Sequence, residues 1–200
     1  MGVCVLMSCA STKMTSTWRD SNYTGGPLKK IAVILVEKDE NLRRFVEDQA
    51  TRSFPGGTQA VPSYTIFATL EKDKDKVKNR LTEDGFDGAL VGRLAAIVRS
   101  ETYRAPQTYV VGGDPFGTNP SGGLFDLYYQ NAYSYAYDPG YRREDARYVV
   151  ETVLYKLPEG KPIWKATSES VNPNSSNELV AEITRLVEKE LQKEKLVGTP

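Results

Sequence analysis

From Lys29 onward the apolar positions switch between two spacings. Ile31-Ala32-Val33-Ile34-Leu35-Val36 is an unbroken aliphatic run, the pattern of a strand covered on both faces. Leu42, Phe45, Val46, Gln49, Ala50 and Phe54 then recur at helical spacing until Pro55-Gly56-Gly57 breaks the element. Gln59 to Phe67 predicts a second strand, and Pro62 within it argues for a sheet edge, where a missing N–H costs least. Leu70, Lys74, Val77 and Leu81 mark a second helix with a thin apolar stripe. The Glu71-Lys72-Asp73-Lys74-Asp75-Lys76 run reads as its solvated face.

Gly85-Phe86-Asp87-Gly88 leads into Ala89-Leu90-Val91-Gly92, a third buried run that continues through Ile97 and Val98 toward Tyr103. After a long insertion, residues 148–156 and 163–168 alternate on either side of Leu157-Pro158-Glu159-Gly160-Lys161-Pro162, which predicts a hairpin. Trp164 lies on its second arm and is expected in the core. Ser175-Ser176-Asn177-Glu178 is a capping box, and Leu179, Ile183, Leu186, Val187 and Leu191 make the helix behind it amphipathic. The order β-α-β-α-β, insertion, β-hairpin, C-terminal α predicts an α/β fold: a mixed β-sheet with helices packed on it. The single domain is expected over 28–196, with the insertion at about 105–145 and a tail at 197–200.

Upstream, Ala10 to Pro27 is rich in Ser, Thr and Gly and shows neither period, so it reads as a tether. Trp18 sits within it, and a linker has little use for so large an apolar ring. Docking of Trp18 on the folded body is expected, with a partner-binding role as the alternative.

Composition narrows the chemistry. Two hundred residues suit one domain with tails, and 40% apolar residues supply a core. The 26 basic and 26 acidic residues cancel, which removes the electrostatic footprint of nucleic-acid binding. Without a histidine there is no Ser-His-Asp or Cys-His nucleophile and no His-ligated zinc. Gly112-Gly113-Asp114 and Gly122-Gly123 match neither a dinucleotide fingerprint nor a phosphate-binding loop, so no nucleotide and no other cofactor is expected.

Leu6-Met7-Ser8-Cys9 at the end of the apolar run Val3 to Met7 resembles the lipobox of bacterial lipoproteins. The resemblance implies residues 1–8 as a truncated signal peptide, lipidation at Cys9, and residues 9–27 as the lipidated N-terminus and tether. A buried first strand over Val3–Met7 is the alternative. Ala10 after the cysteine implies outer-membrane sorting, with the protein facing the periplasm. Cys4 then falls in the signal and Cys9 carries lipid, so the mature chain holds no free thiol or disulfide.

Thr17-Trp18-Arg19-Asp20, Gly85-Phe86-Asp87-Gly88-Ala89-Leu90-Val91 and Lys161-Pro162-Ile163-Trp164-Lys165-Ala166-Thr167 together resemble a family of uncharacterised bacterial lipoproteins. In topology the chain is also similar to envelope-assembly and secretion accessory lipoproteins. That likeness implies an anchored adaptor with an envelope protein as partner, and brings no catalytic residue with it.

The insertion is the least ordinary stretch. Between Tyr103 and Tyr148 it gathers nine of the 12 tyrosines, and from Ala105 to Tyr141 it holds no Lys or Arg. Tyr109, Phe116, Phe125, Tyr128, Tyr129, Tyr133, Tyr135 and Tyr137 are its candidate binding residues, because tyrosine offers large contact area at low entropy cost and glycine offers adaptability. A loop whose Leu127-Tyr128-Tyr129 and Tyr133-Ser134-Tyr135 pieces add a ragged hairpin to the sheet, or a tyrosine stripe that stacks on a glycan or peptidoglycan strand, are the other readings. A carboxylate-dependent hydrolase would have to use Glu37, Asp39 and Glu40 at the end of the first strand. The dipole of the helix they open is the preferred account of acidic residues there.

Overall fold

The computed structural model describes residues 11–54, 56–69, 71, 73–110, 135–138 and 141–198. They fall into two units, Met1–Val98 with Ala146–Pro200, and Arg99–Asp145. The elements of the first are β1 (Ser11–Arg19), β2 (Lys30–Leu35), α1 (Glu40–Arg52), β3 (Gln59–Pro62), α2 (Lys74–Glu83), β4 (Gly88–Arg104), β7 (Tyr141–Lys156), β8 (Lys161–Val171) and α3 (Ser176–Lys193). Its strands form one six-stranded mixed sheet in the order β1-β8-β7-β4-β2-β3. β4 and β7 run on into the second unit, which also holds β5 (Gln107–Val110) and β6 (Tyr135–Asp138). The α/β architecture read from the sequence is the one observed.

β2 pairs in parallel with β3 and with β4, while β7 with β8 and β8 with β1 are antiparallel. Alternation along the strands splits the core between two faces. Ile31 and Leu90 face α1 and α3, in one cluster with Leu154, Trp164, Ile183, Val187 and Leu191. Ala32 and Ala89 face α2, with Leu81, Phe86 and Leu157. Trp164 is wholly enclosed, as expected of that arm of the hairpin.

The Gly-Phe-Asp-Gly segment has a structural account. Gly85 adopts φ +77°, a left-handed turn that favours glycine just beyond α2. Asp87 accepts the N–H groups of Lys29 and Lys30 at 2.8 and 2.9 Å, fixing the entry to β2. A Cβ on Gly88 would stand 2.5 Å from Leu28 Cδ1 and 3.1 Å from the Tyr155 carbonyl, so any side chain there would have to displace the buried Leu28 and press on β7.

Near the two ends of the domain, three expectations change. Ser11–Arg19 is not a tether: it is the edge strand β1, paired along its length with β8. Its β-branched Thr12, Thr15 and Thr17 suit a strand, and a register shift between Met14 and Ser16 blurs any alternation. Thr12 bonds Ser170 at 2.7 Å and also Glu182 on α3, and Arg19 reaches the Glu194 carboxylate at 2.9 Å. Trp18 does not dock in the core; it is 47% exposed, with Lys165 Nζ 5.6 Å from its ring centre. The tail does not begin at 197, because Val197 is buried and bridges Leu28, and Gly198 N–H donates to Thr58 Oγ1 at 2.8 Å.

The stripe that α1 buries is also not the apolar one. Arg43, Glu47 and Ala50 are enclosed, whereas Leu42 is exposed. Glu47 accepts Leu35 N–H at 3.0 Å and the Ser63 hydroxyl at 2.7 Å on one oxygen, and Tyr64 N–H at 2.9 Å on the other. That carboxylate ends β3 at Pro62, short of the expected Phe67, by drawing the chain into a 3-10 turn at Ser63–Thr65. β3 is an edge strand, as Pro62 requires.

Candidate functional site

The aromatic insertion is only partly described. Residues 1–10, with Cys9 and the Val3–Met7 run among them, lie outside the described residues, as do Phe116, Phe125, Tyr128, Tyr129 and Tyr133. Tyr109, Tyr135 and Tyr137 take positions in a two-stranded antiparallel sheet of their own, with Tyr109 opposite Ala136, Val110 opposite Tyr135 and Thr108 opposite Tyr137. β5 and β6 form a sheet separate from the six strands, and Leu127, Tyr128, Tyr129, Tyr133 and Ser134, expected to build a hairpin with Tyr135, lie outside the described residues.

β4 and β7 lead to it. β2 pairs with β4 only as far as Gly92, and beyond that point Leu94, Ile97 and Val98 are exposed. In the second unit Tyr103 is 63% and Tyr141 51% exposed, with the Arg142 guanidinium 5.3 Å from the Tyr103 ring centre. Aliphatic side chains left on both faces of a strand are costly unless something covers them, and single exposed residues are common while runs are not. In sequence, the insertion follows this exposed apolar run.

A groove of about 660 Å³ lies between α2 and the sheet. Ile34, Val36, Ala89 and Val91 line it from the strands, Val77 and Leu81 from α2. It exists because α2 brings only a thin stripe, in which Leu81 alone is buried. Lys74 and Lys78 edge it together with Glu71, Asp75 and Glu159, so charges of both signs surround it.

The carboxylates at the end of β2 are engaged locally. Asp39 caps α1 by accepting Asn41 and Leu42 N–H at 2.9 and 3.2 Å. Glu37 accepts Asp39 N–H at 3.2 Å, and Glu40 pairs with Arg43 at 2.7 Å. These are the roles expected of acidic residues at a helix start. Arg43 and Glu47, the buried charges, are not among the positions that mark this helix in the sequence; their i, i+4, i+7 spacing with Ala50 is the available signal. Among the described residues no cluster of three His, Cys, Asp or Glu could hold a metal ion. No helix among them is long and apolar enough to cross a membrane.

The Asp20 carboxyl is held below the usual carboxylate range, first by its bond from Lys161, 2.6 Å away, and then by Asn22 N–H. Burial pushes Glu188 up. Neither group lies beside the aromatic segment in sequence, and Asp20 fixes the turn after β1, where its own N–H donates to the Ile163 carbonyl at 3.0 Å.

No protein-family model and no curated protein matches the chain. Among solved structures it is similar to a leucine-to-methionine variant of the PelC dodecamer from Paraburkholderia phytofirmans, at 11% identity and a TM-score of 0.43 over 90% of this chain and 96% of that one. A second structure of the PelC dodecamer from the same organism gives 14% identity and a TM-score of 0.42 over 95% and 99%.

Proposed function

We propose that this protein is a lipid-anchored, non-catalytic accessory of the bacterial cell envelope that binds an envelope protein through the aromatic segment between β4 and β7. The observation that carries the reading is the exposed apolar run of Leu94, Ile97 and Val98, followed in the chain by Tyr103 and the tyrosine-rich insertion. A Tyr-rich, Lys-poor segment has the composition of interface cores. The lipobox-like Leu6-Met7-Ser8-Cys9 supplies the anchor, and Ala10 the outer-membrane address.

The anchor is tested by fractionating cells that express the full precursor. Cys9→Ser should move the protein from the membrane pellet to the soluble fraction, because no described helix could hold it there. Pelleting that survives both the substitution and a carbonate wash would reject lipidation. The binding role is tested by deleting Gly112 to Ser134 behind a short Gly-Ser bridge. Partner recovery from solubilised membranes should disappear while the unfolding midpoint stays within error.

A further inference from the structure

The structure assigns a second contact to this protein: the open face of β1, β8 and β7 lies flat on an anionic phospholipid surface. The inference rests on the lipid anchor proposed above. Cys9 stands two residues ahead of Ser11, where β1 begins, and two extended residues span at most ~7 Å. A lipid on Cys9 therefore holds the leading end of β1 at headgroup depth. The orientation of the domain is then set by which sheet face turns toward the bilayer.

Trp164, Ala166, Ser168 and Ser170 are buried on the α3 side, so Lys165, Thr167 and Glu169 between them point the other way. Register puts Trp18 beside Lys165 and Lys13 beside Glu169 on that same open face. Arg147 and Glu151 join them from β7, and Arg93 from β4 through its 2.8 Å bond to Glu151. Four cations thus meet two carboxylates. Arg93 and Arg147 have Glu151 and Glu169 as ion-pair partners, which leaves Lys13 and Lys165 as the unpaired charges among the described residues of this face. Trp18 and the two lysines are exposed, with the Lys165 ammonium over the indole. An amphipathic ring next to unpaired lysines is the composition of a membrane–water interface, and the excess positive charge selects an anionic one.

The α2 helix lies on the same side but over β2 and β4. Strands rotate by ~20–25° per step, so the plane of β1, β8 and β7 turns away from the part of the sheet that α2 covers. Trp18 is seven residues along β1 from Ser11, or ~23 Å at ~3.3 Å per residue. A domain standing on its tether would carry Trp18 far above the lipid. A domain lying on this face brings Trp18 to it.

That difference is readable, because Trp18 and Trp164 are the only tryptophans and Trp164 is enclosed. The protein is purified from membranes, its lipid confirmed by mass, and reconstituted into phosphatidylcholine vesicles containing phosphatidylglycerol and brominated acyl chains. Emission from Trp18 should fall about twofold, as for a ring seated at the interface, and Trp18→Phe should abolish the change. Lys13→Glu with Lys165→Glu, or vesicles without phosphatidylglycerol, should remove most of the quenching. Lipidated, vesicle-bound protein whose Trp18 stays unquenched would overturn the flat orientation and leave the anchor standing. Equal quenching in neutral and anionic vesicles would overturn the charge selection. Absence of lipid on Cys9 would overturn the anchor reading and this inference with it.

Discussion

Glu47 is the side chain whose removal should cost the fold most for its size. It is fully enclosed, and its two oxygens take three bonds, from Leu35 N–H, the Ser63 hydroxyl and Tyr64 N–H. In Glu47→Ala the hydroxyl can turn elsewhere, but two backbone donors lose their acceptor. At ~1–3 kcal/mol for each unsatisfied buried group the loss is about 4 kcal/mol, a large share of the ~5–15 kcal/mol that stabilises a typical domain. With an m of about 3 kcal/mol/M the urea midpoint should fall by about 1–2 M at unchanged slope. Glu47→Gln keeps one acceptor oxygen and turns an amide against the remaining donor, so its midpoint should lie between wild type and alanine. Pairing Glu47→Ala with Ser63→Ala should be less than additive, since both remove the same bond. An alanine variant within about 0.5 kcal/mol of wild type, or a glutamine variant as damaging as alanine, would refute the argument that these bonds hold α1 to the sheet.

Trp164→Ala should cost ~3–5 kcal/mol by cavity formation and Trp18→Ala almost nothing, and paired thermal melts check both. Trp164 Nε1–H has no hydrogen-bond partner among the described residues, so Trp164→Phe should lose clearly less than alanine does in the same melts. Because the folded Asp20 pKa is lowered, its contribution to stability is complete above the unfolded value of ~3.9 and is lost as pH falls through the folded one. Urea midpoints of Asp20→Asn should therefore converge with wild type below that window and fall short of it above.

Most elements were legible because they obey one period over a long enough stretch. β2 is aliphatic on both faces since helices cover both, and Ser175 accepts Glu178 N–H at 3.1 Å as the capping box demands. β1 was not legible. An edge strand that packs one face loosely and carries a register shift has no alternation to detect, only the β-branched Thr12, Thr15 and Thr17. Helix α1 misled because hydrophobicity and burial part company there. Its floor is the polar pair Arg43 and Glu47, stabilised by partners on β2, the 3-10 turn and the loop at Phe67 that are distant in sequence. The candidate site was legible as composition only; register opposes Tyr135 to Val110 and Tyr137 to Thr108 in a way no spacing rule could supply.

The pairing of β1 with β8 also sets how the fold answers force. Eight residue pairs join the two strands, from Ser11 with Val171 to Arg19 with Trp164. A pull on the N-terminus in line with β1 loads those pairs together, in shear. A pull across the strand opens them one after another from Ser11, and forced unfolding follows the barrier along the direction pulled. The protein should thus be mechanically anisotropic, resisting drag along the axis of its first strand and peeling readily when lifted away from it.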